Sequence, residues 1–107
     1  FLASDGRTVL LDFDRSYLGD PAADLGNFAA NLIYLAMADA TIDAPGLAGV
    51  FTRAYAAADG GAVDAGRLAF WTSLGLLQLA PTPFRNLEKD WPQRIAALLA
   101  AARRSLP

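Results

Sequence analysis

One short β-rich run, Thr8–Phe13 (TVLLDF), precedes a chain whose apolar residues otherwise recur only at helical spacing. A parallel sheet needs strands alternating with crossover helices, so that pattern weighs against a doubly wound fold. Phe1–Ala3 and Thr8–Phe13 flank Asp5-Gly6, a dipeptide suited to a tight hairpin turn. Asp12 then falls at or near a strand exit. Alternation places Thr8, Leu10 and Asp12 on one face of the strand.

Helix signals follow in order. Gly19-Asp20-Pro21 predicts a helix start, with Asp20 as N-cap and Pro21 first inside. Leu25, Phe28, Ala29, Leu32, Leu35 and Ala36 continue it at helical spacing. Asp43–Gly46 opens a second helix with the stripe Leu47, Val50, Phe51, Ala54, Tyr55 and Ala58, stopped by Gly60-Gly61. Asp64 caps a third helix running to about Ala80. Leu68, Phe70, Trp71, Leu74, Leu76, Leu77 and Leu79 cover most of its sides, which predicts a central, buried helix. Pro81 ends it, and PTPFRNLEK reads as a loop. Asp90-Trp91-Pro92-Gln93 has the form of a capping box before a last helix through Ile95, Leu98, Leu99 and Ala102. Arg103 and Arg104 complement the dipole at its end. The expected fold class is α+β, mostly α: one short β-hairpin followed by about four helices in a single domain, residues 1–107.

Composition removes several chemistries. The chain has no Cys and no His, so thiolate sites, His-ligated zinc and His-based triads are excluded. A net charge of −2 supplies no footprint for nucleic acid or an anionic membrane surface. No apolar run reaches the roughly 18 residues of a spanning helix. The start also lacks the basic and apolar regions of a signal peptide, and a cytoplasmic location is expected. The chain begins at Phe1 and its one Met is Met37, so it reads as a fragment of a longer protein.

What remains is a cluster of carboxylates in a mostly apolar stretch: Asp12, Asp14, Asp20 and Asp24 within LLDFDRSYLGDPAADLGNF. Asp20, Asp64 and Asp90 have a plain account as N-caps, and Asp14 as a solvated loop residue. Asp12 and Asp24 do not. Asp12 ends an apolar strand with Arg15 its only local cation. Asp24 stands one turn inside a helix, where the dipole supplies only about 0.3–1 kcal/mol. Two chemistries put a carboxylate at a strand exit. One is Mg²⁺ ligation in phosphoryl transfer. The other is covalent phosphoryl transfer to an Asp, with a second Asp two residues on as acid/base. Asp12 and Asp14 have that second spacing and look like the first motif of haloacid-dehalogenase-type phosphatases. That fold needs a parallel sheet and a phosphate-steadying Lys, whereas Lys89 is the sole lysine and lies in a loop.

Leu10-Leu11-Asp12-Phe13-Asp14-Arg15, Gly19-Asp20-Pro21 and Asp24-Leu25-Gly26-Asn27-Phe28, in that order and spacing, resemble the C-terminal lobe of the aminoglycoside phosphotransferase family. This group of protein-kinase-like small-molecule kinases includes the choline kinases. Leu76-Leu77, Pro83-Phe84-Arg85 and Asp90-Trp91-Pro92 resemble one bacterial branch of it. The resemblance implies a bacterial, ATP- and Mg²⁺-dependent phosphotransferase (a kinase) acting on the hydroxyl of a small molecule. It implies that Asp12 is the metal ligand and that Asp14 supports the metal. Asp24 would brace the catalytic loop, with Asp20 as cap and site support. The family's His-Gly-Asp base motif and its nucleotide-binding N-terminal lobe are expected upstream of Phe1, so no catalytic base is assigned within the chain. Aminoglycoside sites need a carboxylate-rich pocket for a polycation, and few carboxylates follow Asp24, which lowers that substrate class. A non-catalytic helical module is the remaining class.

Overall fold

The computed structural model describes residues 2–59 and 61–107. β1 (Leu2–Ser4) pairs antiparallel with β2 (Arg7–Val9) in the register Leu2 with Val9, Ala3 with Thr8 and Ser4 with Arg7. Asp5 (φ 52°) and Gly6 (φ 73°) both take left-handed backbone, as a two-residue type I′ turn demands. The hairpin therefore lies where the sequence places it, but its second strand is shorter than Thr8–Phe13. β1 offers partners to Arg7, Thr8 and Val9 alone, so Leu10–Phe13 leave the ladder and are exposed. Phe1, assigned to the first run, lies outside the described residues.

Helix α1 (Pro21–Ala36) starts as expected. Asp20 is extended (φ −69°, ψ 117°) and its Oδ1 accepts from Ala22 N at 2.9 Å. Its inner face is Ala22, Leu25, Gly26, Ala29 and Ala30, while Phe28 and Leu35 stay exposed. Helix α2 (Ala44–Asp59) is capped by Asp43, whose Oδ1 accepts from Gly46 N at 3.0 Å. Of its expected stripe only Tyr55 is half-buried. Ala44 is buried and Ala48, Thr52 and Tyr55 are half-buried, whereas Leu47, Val50, Phe51, Ala54 and Ala58 are exposed. Phe51 does meet Phe28 of α1, ring centroids 4.2 Å apart. Periodicity identifies an apolar stripe; it does not identify the stripe a neighbouring helix covers. The Gly60 half of the predicted stop lies outside the described residues, and α2 ends at Asp59.

Helix α3 (Ala65–Leu79) is capped by Asp64, Oδ1 accepting from Arg67 N at 2.8 Å. It packs against both α1 and α5 (Trp91–Ser105), so it is central. It is not covered all round: Thr72, Ser73, Gly75 and Leu76 are buried, but Phe70 and Leu77 are exposed. Leu76, Leu98 and Ala30 have no exposed surface, and with Ala101 and Ala102 they form the core. Ser73 Oγ donates to Ala102 O at 2.8 Å inside it. The α1–α3 contact depends on glycine. A Cβ on Gly26 would lie 2.5 Å from Trp71 Cβ and 2.6 Å from the Trp71 carbonyl carbon; one on Gly75 would lie 2.8 Å from Ala30 Cβ.

The segment read as a loop after Pro81 contains a single helical turn, α4 (Thr82–Arg85). It closes with Glu88 N donating to Pro83 O at 3.0 Å across Leu87, which takes φ 53°. Asp90 does not cap α5 with its side chain. Its backbone (φ −109°, ψ 31°) is not in the extended cap conformation, and its Oδ1 instead accepts from Arg94 Nε at 3.2 Å. Arg94 Nε also lies 3.2 Å from Glu88 Oε2, off the direction of a hydrogen bond. Tyr34 OH of α1 donates to Glu88 Oε1. Burial, then that hydrogen bond, pushes the phenol above its ordinary pKa. Arg103 and Arg104 occupy the last turn of α5, as predicted. No helix among the described residues is long and apolar enough to cross a membrane.

Candidate functional site

The segment between β2 and α1 forms an open concavity of about 530 Å³. It is lined by Asp12, Arg15, Tyr17, Asp20 and Asp24, together with Ser16, Leu18, Gly19 and Pro21. Three of the four clustered aspartates therefore line one cavity. Asp14 is exposed and does not line it.

Asp12 is exposed, and no hydrogen bond from the described residues engages its carboxylate. Its backbone is left-handed, φ 68°. That conformation costs an L-residue about 1 kcal/mol or more, and Asp is among the few that visit it. Such outliers concentrate at functional sites. Asp24 differs from its expected setting. It stands in the first turn of α1 but faces outward, exposed and without a hydrogen-bond partner among the described residues.

Asp20 is the opposite case. Oδ1 accepts from Ala22 N and lies 2.6 Å from Arg67 Nη2; Oδ2 accepts from Arg67 Nε and from Trp71 Nε1, each at 3.0 Å. A carboxylate offers about four acceptor positions; three accept hydrogen bonds, and the Arg67 Nη2 ion pair covers the remaining side of Oδ1. Asp20 is thus a cap and a junction, with nothing left for a metal. Arg67 and Trp71 were not singled out by the sequence as site residues. One signal pointed to them: they are four residues apart on one helix face, and a partly covered indole N–H seeks an acceptor.

The hydrogen bond from Arg67, and after it the one from Ala22 N, holds the Asp20 carboxyl below the usual carboxylate range. The folded pKa is depressed, so its contribution to stability is complete above the unfolded value of about 4 and is lost as pH falls through the folded value. Melting curves taken from pH 7 to pH 2 should show this. Wild type should lose Tm more steeply below about pH 4 than Asp20→Asn. Parallel curves would dissociate Asp20 from acid stability. Thr41 lowers the Asp39 carboxyl in the same direction, and Asp20→Asn leaves that contribution unchanged in the comparison.

Mg²⁺ in phosphoryl transfer takes one or two protein carboxylates and completes its shell with phosphate oxygens and water. Asp12 on an open cavity fits that demand. An all-protein cage does not exist among the described residues, where no three acidic, His or Cys side chains converge. Arg15 shares the cavity and pairs with no carboxylate among the described residues, leaving its guanidinium open to an anion. No protein-family profile, curated protein or solved structure matches this chain.

Proposed function

We propose that this chain is the C-terminal-lobe portion of an ATP-dependent phosphotransferase that phosphorylates a hydroxyl of a small molecule. The observation that carries this reading is Asp12. It stands in left-handed backbone just past the hairpin, its carboxylate without a hydrogen-bond partner among the described residues, on a cavity it shares with Arg15 and Asp24. The cavity volume is within the ordinary range for small-ligand sites. In this reading Asp12 holds Mg²⁺, which when bound supplies positive charge to the nucleotide phosphates. Arg15 adds charge-assisted hydrogen bonds on the same side. Asp24 presents its carboxylate to a segment outside this chain, in keeping with bracing a catalytic loop. In this reading the base belongs to a His-Gly-Asp catalytic loop and most nucleotide contacts to the N-terminal lobe, both outside this chain.

The phosphatase reading asks Asp12 and Asp14 to face one site within a parallel sheet. Asp14 lies off the cavity, and the sheet among the described residues is one antiparallel hairpin followed by helices. Both features weigh against it. The test is phosphoryl transfer from ATP to a panel of hydroxyl-bearing small molecules, run on the full-length protein and on residues 1–107. Mg²⁺-dependent transfer is expected from the full-length protein, with none from 1–107. ATP-independent hydrolysis of a phosphomonoester, or transfer by 1–107 alone, would overturn the reading.

A further inference from the structure

We infer that Arg67 and Trp71 of α3 are positioning residues for the cavity that carries Asp12. Their effect on rate rests on the phosphotransferase reading; their geometry does not. The segment Leu10–Gly19 has little of its own to hold it in place. Every residue in it is exposed, and its one backbone hydrogen bond among the described residues runs from Ser16 N to Phe13 O at 2.9 Å. One end hangs from a hairpin with three-residue strands, the other from Asp20.

An N-cap needs one bond, and Ala22 N supplies it. The other two hydrogen bonds to Asp20 serve no helix start. One comes from Arg67 Nε, whose Nη2 also pairs with Oδ1 at 2.6 Å, and the other from the Trp71 indole, one turn further along α3. A planar fork and a fixed indole N–H leave the carboxylate one orientation. Trp71 is itself fixed, because its backbone is packed against Gly26 in α1. The central helix thereby sets where the Asp12 segment re-enters the fold, and with it one rim of the cavity. A tie that merely joined α1 to α3 would stabilise both helices without ordering Leu10–Gly19.

Two conservative variants of the full-length protein separate these roles. Trp71→Phe keeps the ring and removes the N–H. Arg67→Lys keeps the charge and removes the fork. Amide hydrogen exchange, and kcat with its Mg²⁺ dependence, are measured for both. Exchange at the Ser16 amide, the one hydrogen-bonded amide of the segment among the described residues, should accelerate while α3 amides keep their protection. The value of kcat should fall about tenfold or more, as small misplacements do, with KM for ATP little changed. Unchanged exchange at the Ser16 amide, in a variant whose α3 stays protected, overturns the inference whatever the rate. If wild type shows no ATP-dependent transfer, the phosphotransferase reading fails alone, and the exchange measurement still decides the positioning role. Should Arg67→Lys fail to fold, Trp71→Phe probes the same carboxylate.

Discussion

Replacing Asp12 by Asn in the full-length protein is expected to lower the phosphotransfer rate at least about a hundredfold, close to 3 kcal/mol of transition-state stabilisation, and to raise the Mg²⁺ requirement. The substitution is chosen for the backbone as much as for the charge. Position 12 sits at φ 68°, and Asn, like Asp, enters that region readily. Folding should therefore survive, with an unchanged melting temperature. Metal charge at the phosphates is worth several kcal/mol, so a hundredfold loss is a conservative expectation. A Mg²⁺ titration with ATP, beside one with a phosphomonoester, checks it. The phosphatase alternative instead predicts a phospho-aspartate at Asp12 that beryllium fluoride mimics, and hydrolysis without ATP. Wild-type rate and wild-type Mg²⁺ dependence in both assays would make Asp12 a structural residue.

The largest stability effect is expected at Gly26. An added Cβ would meet backbone atoms of α3, 2.6 Å from the Trp71 carbonyl carbon and 2.7 Å from Thr72 N. Carbon contacts are favourable near about 3.5–4.0 Å, so the two helices must separate to admit one methyl group. Overpacking of this kind costs about 1–3 kcal/mol and at times more; Gly26→Ala should fall at or above the upper end. The same substitution at Gly49 should have the opposite sign. There the added Cβ would meet only the mobile end of its own helix's Arg53, 3.1 Å away, and replacing an interior helical Gly gains about 0.5–1 kcal/mol. Denaturant unfolding of the two variants compares like with like. A Gly26→Ala protein as stable as wild type would mean that α1 and α3 are not in the close contact described.

The elements with local chemistry were legible in the sequence. Asp5-Gly6 gave the hairpin, Asp20-Pro21 the start of α1, Asp64 the start of α3, and Arg103-Arg104 the end of α5. Each is decided within a few residues by turn sterics, capping or dipole. What was not legible depends on which surfaces meet. The Leu47, Val50 and Phe51 stripe of α2 reads as an inner face but stands exposed, and only Phe51 of the three meets a ring of α1. Asp90 has a cap's neighbours but not a cap's backbone, and Arg94 takes its carboxylate. The site divides in the same way. The grouping of Asp12, Asp20 and Asp24 follows from their spacing around one loop. The exposure of Asp24 and the saturation of Asp20 do not, since the second is made by residues 47 and 51 positions downstream.

The left-handed turn at Asp12 has a consequence for the history of such a gene. Single-base changes convert Asp codons to those of Asn or Gly, the two other residues most at ease in that backbone. Both remove the carboxylate while leaving the hairpin, the helices and the core intact. On the phosphotransferase reading, drift at this position silences the chemistry without any mark on folding or cellular abundance. A lineage of well-folded, inactive descendants is the natural product of that asymmetry, and an intact fold in a relative is no guide to whether it still works.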